Sequence, residues 1–327
     1  PGNCGLYNLG NTCFMNSGLQ SLLASDQLVK FCLEALVISP ELQDTLLGRF
    51  KTLVMKIWSG EYSVIYPRDF KDTLSLYHNQ FQDYRQHDCQ EFLALLLDSL
   101  HEQLSTVDDI PSVPPVLESY SENDELEADK AWDDYITENN SVVVNSFQGQ
   151  FKSTIVCSEC SHISVTFEPF MYLSLPIPRA LERQICNEVL DEQNPWYCPQ
   201  CRKNQCANKR MTVWRYPDTL IVHLKRFVFH EFSSTKIDNP VIFPQKNLDL
   251  TDFLSGPKNT DLQYDLYSVV CHFGGSNSGH YTAYSKHPIY QEWFYYNDET
   301  VTKQTPKHDE YSSGYVLFYQ KQGKMAG

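Results

Sequence analysis

Cys4-Gly-Leu-Tyr-Asn-Leu-Gly-Asn-Thr-Cys13-Phe-Met-Asn-Ser-Gly-Leu-Gln20 is a glycine- and asparagine-rich loop that runs straight into an apolar helical pattern, Phe14, Leu19, Leu22, Leu23 and Leu28. Asn11 and Thr12 are good N-cap residues, so Cys13 is expected within the first turn of that helix. A sulfur there faces unpaired backbone N–H groups and the positive end of the helix dipole, which favour the nucleophilic thiolate. The same cysteine is equally readable as a small buried residue behind a loop.

A second stretch tips the balance. Gly274-Gly-Ser-Asn-Ser-Gly279-His280-Tyr281-Thr-Ala-Tyr284 is a loop that breaks into an alternating strand, and Asn297-Asp298 follows the aromatic run Trp293-Phe-Tyr-Tyr296. A histidine flanked by glycine, with a carboxamide and a carboxylate one hairpin later, has the makings of a base and its orienting partner. Nucleophile, base and orienter distant in sequence form the constellation of cysteine hydrolases.

Those two boxes, together with Gln86-His-Asp-Cys-Gln-Glu-Phe92, resemble the ubiquitin-specific proteases, a cysteine-protease family of deubiquitinases, from about Gly5 to Tyr319. The segment from Ala131-Trp132 to Ser161 is most similar to the larger, multi-domain members. The resemblance implies an α+β, papain-like hand: a helical thumb (1–104), an acidic excursion (105–141), mainly β fingers with a zinc ribbon (142–226) and mainly palm (227–327). It implies hydrolysis after the C-terminal glycine of ubiquitin through an acyl-enzyme thioester. By resemblance Cys13 is the nucleophile and His280 the base. Asn297 or Asp298 is the third member, since family members differ at the first of these positions. Asn8 is the oxyanion donor, with a turn-holding role as its alternative. Asp88 and Glu91 would meet arginines of the ubiquitin tail, Gln86 its backbone, and Phe227 and Tyr281 the channel it threads. An ordinary acidic first helical turn is the other reading of Asp88 and Glu91.

Composition sets the remaining bounds. The chain has 327 residues, enough for a full core in one large domain or two. No apolar run approaches the roughly 18 residues of a membrane span, because Lys30 and Glu34 interrupt the most apolar window, Leu28–Ile38. A start at Pro1 and no visible signal peptide suggest a domain excised from a larger protein, expected to be monomeric. The formal charge of −15 opposes nucleic-acid binding and suits a basic partner. Eleven cysteines in a chain of this length fit a reducing compartment, cytoplasm or nucleus, better than secretion.

Four of those cysteines form Cys157-Ser-Glu-Cys160 and Cys198-Pro-Gln-Cys201. Two such tight turns complete a tetrahedral site of four sulfurs and leave no open position for water, so structural zinc is expected. Cys206 is a competing ligand by proximity.

Along the chain, leucine spacing predicts helices over Pro40–Gly60, Pro67–Leu76 and Leu93–Leu104. Ser105–Asn140, rich in proline and then acid, is expected to be a solvated linker. Val142-Val-Val, Phe151–Val156, His162–Phe167, Met171–Leu175, Met211–Phe229 and four later segments, Tyr264–Phe273, Gly279–Lys286, Glu292–Asn297 and Tyr315–Gln320, read as strands. Arg179–Asn194 has a short helical pattern, at a point where the resemblance raises the possibility of a removed insertion. Ser233–Pro244 and Gly274–Gly279 read as loops near the cleft.

Three alternatives stand beside the protease reading: a ubiquitin-binding module without activity, a zinc-ribbon nucleic-acid adaptor, and a hydrolase for another ubiquitin-like modifier.

Overall fold

The computed structural model describes residues 1–105, 124–177, 187–229, 234–257, 262–275, 278–307 and 311–323. The first part is helical: β1 (Gly5–Leu6), α1 (Cys13–Leu22), α2 (Asp26–Lys30), α3 (Leu46–Ser59), β2 (Val64–Ile65), α4 (Arg68–Tyr77) and α5 (Cys89–Leu104). Local chemistry sets the ends. Thr45 caps α3 through its hydroxyl, and Gly60 closes it at φ 78, a left-handed position that suits glycine. Asp88 caps α5 by accepting the Gln90 N–H at 2.7 Å. Every residue of α1 is buried. Gly18 lets it approach α5, because a Cβ there would lie 2.9 Å from the Phe92 ring.

Next come α6 (Asp124–Glu138), α7 (Val142–Phe147), β3 (Gly149–Cys157), β4 (Ile163–Phe170) and β5 (Tyr172–Pro176). They are followed by β6 (Asn187–Leu190), β7 (Trp196–Cys198), β8 (Lys203–Gln205), β9 (Ala207–Arg215) and β10 (Thr219–Lys225). The chain ends with β11 (Phe227–Phe229), β12 (Ser234–Lys236), β13 (Leu248–Asp249), β14 (Gln263–Gly274), β15 (Gly279–Lys286), β16 (Trp293–Asn297), β17 (Thr300–Lys303) and β18 (Gly314–Lys321).

Two larger sheets result. One runs β17-β16-β15-β14-β18-β10-β5 with β13 on β14; the other runs β4-β3-β9-β6, and β7 and β8 form a hairpin of their own. The central strands of the first sheet, β10, β14, β15 and β18, are largely buried on both faces, in keeping with their near-continuous apolar runs. On β18, Val316 and Phe318 face the helices, while Leu317 and Tyr319 belong to a second core on the opposite face. The helical layer therefore packs on one face of this sheet, with α1 against β15. The fold is α+β, as expected.

Four local expectations need correction. Val142-Val-Val lies in helix α7, because Ser141 caps it on the Val144 N–H and Val143, Val144 and Phe147 gain burial there. Tertiary packing outweighs the β preference of branched residues. The acidic excursion is helical over Asp124–Glu138; its 106–123 part lies outside the described residues. Its helix is docked: Ala128 is buried, Trp132 stacks under Arg215 at 5.1 Å, and Asp129 pairs with the same arginine at 2.9 Å. Within Arg179–Asn194, residues 187–190 are a strand paired with β9, since the open edge of that strand offers backbone partners that an isolated turn of helix lacks; residues 178–186 are outside the described residues. Finally, the loop expected over Ser233–Pro244 contains β12, which pairs with β11.

The predicted strand through Leu220–Phe227 is broken at Arg226, a fully buried side chain. Its guanidinium donates to four carbonyls, those of Gly314, Ile237, Asn239 and Tyr311, at 2.6–2.9 Å. Five fixed N–H donors make arginine suited to that post.

Candidate active site

Cys13 is the first residue of α1 and is 3% exposed. The loop before it is shaped by Asn8, whose side-chain oxygen accepts the N–H of Gly10 at 2.9 Å and of Thr12 at 3.2 Å. The amide nitrogen of the same side chain donates to Asp298 at 2.9 Å and keeps a second hydrogen. Both readings of Asn8 are thus compatible with one geometry: its oxygen holds the turn and its nitrogen stays a donor.

Opposite lies His280, the second residue of β15. Its Nε2 is 2.7 Å from Asn297 Oδ1, at the end of β16. An amide oxygen can only accept, so Nε2 carries a hydrogen and Nδ1 is left for the Cys13 sulfur. That sulfur contact is the main reason His280 is raised to about 9; burial opposes it, and the Asn297 bond adds to it. A sulfur that favours the imidazolium is the partner a thiolate–imidazolium pair requires.

Asp298 does not reach His280. It sits at φ 47 in a tight turn, accepts Asn8 at 2.9 Å and Asn16 at 2.8 Å, and adds only a small Coulombic pull on the imidazole. Its carbonyl accepts the Leu6 N–H at 3.0 Å, and Glu299 accepts the Asn8 N–H at 3.0 Å. Gly5 is required here, since a Cβ would fall 2.3 Å from the Glu299 carbonyl. The turn after β16 thereby ties the loop before Cys13 to the sheet. Asn16 and Glu299 were missed from sequence. Asn16 left one signal, an amide within an apolar helical stretch one turn after Cys13.

The residues expected along the tail lie beside this centre. Asp88 spends one oxygen on the α5 cap, and the Tyr315 hydroxyl donates to the other. Glu91 is exposed and accepts from Gln80 at 3.2 Å. Tyr281 is buried, with the His272 ring 4.6 Å away; Phe227 is half-buried and edge-on to His272 at 5.0 Å and Tyr315 at 5.6 Å. Gln86 bonds both polar groups of Gly279. Burial, then repulsion from Lys236, lowers His272 to about 4, so it is neutral at physiological pH.

The four-cysteine group forms as expected. Cys157, Cys160, Cys198 and Cys201 bring their ligand atoms within 4.8 Å of one another, and Cys206 lies outside the group. Each pair folds as a knuckle that turns backbone N–H groups to the leading sulfur: Cys160 and Glu159 toward Cys157, and Cys201 toward Cys198 at 3.4 Å. Such donors support thiolates. The crowding works the other way on Cys201, raised to about 12 first by its contact with Cys160. A divalent cation removes that conflict, and the donor set fits zinc.

The ubiquitin carboxyl-terminal hydrolase pattern matches residues 4–319. Ubiquitin carboxyl-terminal hydrolase 2 of Rattus norvegicus is 36% identical over 336 residues, covering 98% of this chain and 54% of that protein. Usp2 of Drosophila melanogaster is 36% identical over 335 residues, covering 98% of this chain and 35% of the relative. The chain thus spans about a third to a half of these relatives. Among solved structures, the SAGA module of Ubp8, Sgf11, Sus1 and Sgf73 bound to ubiquitin aldehyde has a TM-score of 0.73 at 24% identity, covering 98% of this chain and 70% of the matched one. The same module bound to monoubiquitin also has a TM-score of 0.73, at 23% identity, covering 98% and 69%. This chain belongs to the ubiquitin carboxyl-terminal hydrolase family. Among the described residues no helix is long and apolar enough to cross a membrane.

Proposed function

We propose that this chain is a thiol-dependent deubiquitinase that cleaves isopeptide and peptide bonds after the terminal glycine of ubiquitin. One observation carries the proposal: Cys13, His280 and Asn297, from three elements, meet in a single relay. The Cys13 thiolate attacks the carbonyl carbon, and the oxyanion is met by Asn8 Nδ2 and the Cys13 backbone N–H. One such donor is worth about 2.7–4 kcal/mol in comparable sites. The C–N bond then breaks as His280 gives its proton to the leaving amine, leaving a thioester. His280 next takes a proton from water, whose oxygen attacks the thioester and releases the carboxylate. Asn297 acts as the orienter, and Asp298 as the anchor of the donor loop.

Glu91 and Asp88 are assigned to arginines of the tail. Glu91 is the freer, and Asp88 offers the lone pairs that its cap and Tyr315 leave. Gln86, Phe227 and Tyr281 flank the path. Structural zinc at Cys157, Cys160, Cys198 and Cys201 clamps the finger hairpins, with no part in the chemistry. We place the protein in the cytoplasm or nucleus, where free thiols persist, as a monomeric catalytic domain.

Steady-state hydrolysis of a ubiquitin C-terminal amide reporter tests the activity. Turnover abolished by Cys13→Ala supports it, and a folded, zinc-loaded protein without turnover refutes it. Running the same assay with reporters on other ubiquitin-like proteins decides the modifier.

A further inference from the structure

The edge of β15 is incompletely paired. On one side β14 runs alongside it as far as Gly274 opposite Gly279. On the other, β16 pairs with β15 only from Ala283 to Lys286. The catalytic histidine therefore stands on the part of the strand that β16 does not reach.

At that place one side chain supplies what a strand would. Gln86 Nε2 donates to the Gly279 carbonyl at 2.6 Å, and Gln86 Oε1 accepts the Gly279 N–H at 2.8 Å. A carboxamide has the same donor and acceptor pair as a peptide unit, so it completes both hydrogen bonds of the residue preceding His280. Gln86 is well anchored, two residues before Asp88, whose carboxylate is fixed by the α5 N–H groups and Tyr315.

The face of Gly279 is fixed as well. A Cβ there would lie 2.2 Å from His272 Nε2, so the imidazole fills the space a side chain would take. His272 is 3% exposed, wedged against Tyr281 and Phe227, and its carbonyl accepts Lys236 Nζ at 2.7 Å. Gly279 is thus gripped at its edge by Gln86 and over its face by His272. The backbone position of His280 follows from that grip, and the imidazole reaches the sulfur from it.

We propose that Gln86 is a positioning residue for His280, setting through Gly279 the register of the imidazole against Cys13 before any substrate arrives. This rests on the Cys13–His280 pairing proposed above and adds a role for Gln86 that does not involve ubiquitin. The remaining hydrogen and lone pair of its carboxamide stay available to a tail.

The test uses iodoacetamide alone. The Cys13 thiolate displaces iodide and becomes carbamidomethylated, so the rate against pH reads the thiolate–imidazolium pair with no ubiquitin present. The variants are Gln86→Met, which keeps length and packing but removes both hydrogen bonds, Gln86→Ala, and His280→Ala as reference. The expected result is that Gln86→Met and Gln86→Ala slow Cys13 alkylation at pH 7 on the order of tenfold or more. Unchanged thermal unfolding of Gln86→Met separates this from a folding defect. Should Gln86→Met alkylate like wild type while His280→Ala is slow, the positioning role is wrong and the pairing stands. A KM increase on a ubiquitin reporter would then assign Gln86 to the tail alone. If His280→Ala also alkylates like wild type, the pairing itself falls, and the positioning role with it.

Discussion

His280 Nε2 is bonded to Asn297 Oδ1 at 2.7 Å, whereas the adjacent Asp298 turns its carboxylate to Asn8 and Asn16. Two neighbouring residues thus divide two tasks. Asn297 is the last residue of a strand and points to His280; Asp298, at positive φ in the turn, points to the loop and helix that carry Asn8 and Asn16. Asn297→Ala is predicted to lower kcat/KM by on the order of a hundredfold and to bring down the pKa of His280. Asp298→Ala is predicted to lower kcat by a comparable factor, through the loosened Asn8, while shifting His280 far less. Reporter kinetics combined with an NMR titration of the His280 ring separates the two.

The titration of His280 gives a second expectation. Its pKa is raised to about 9, first by the sulfur of Cys13. A histidine raised on folding stabilises the fold fully below its ordinary value, about 6.5, and loses that contribution as pH climbs through about 9. In Cys13→Ala the largest raising contact is gone, so the ring should titrate clearly below 9 by NMR. An unchanged value would mean that the sulfur is not the partner.

How much of this was legible in the sequence depends on the range of the interactions. Cys13, His280 and the four clustered cysteines stand in recognisable local patterns, so the sequence could offer them as candidates. The choice between Asn297 and Asp298 could not be made, because it turns on a strand end and a left-handed turn. Helix α6 was hidden because its apolar positions, Ala128, Trp132 and Tyr135, are spaced helically inside an acidic run, and its partners Arg215, Lys152 and Gln150 are distant in sequence. Val142-Val-Val went astray for the opposite reason, a β-branched run whose burial and Ser141 cap favour a helix. Gln86 was placed by resemblance on the tail, and its bonds to Gly279, 193 residues away in sequence, had no local signature.

Removing metal should act on the fingers before the chemistry. One zinc per chain is expected by elemental analysis. Cys157→Ser and Cys198→Ser should lose it and unfold at lower denaturant, whereas Cys206→Ser should keep it. Full metal content in Cys198→Ser would assign the site to other ligands.

Arg226 offers a test of the scaffold. Truncation to alanine strands the carbonyls of Gly314, Ile237, Asn239 and Tyr311 and opens a cavity. A loss of about 4 kcal/mol or more is expected in denaturant unfolding. Arg226→Lys should recover only part, since an ammonium has three donors and no planar fork.

Covalent capture by ubiquitin bearing a C-terminal electrophile tests the central claim most directly. Wild type should form a one-to-one adduct, Cys13→Ala none, and His280→Ala the same adduct far more slowly. A folded, metal-loaded wild type that forms no adduct, or an adduct that survives Cys13→Ala, would contradict the account.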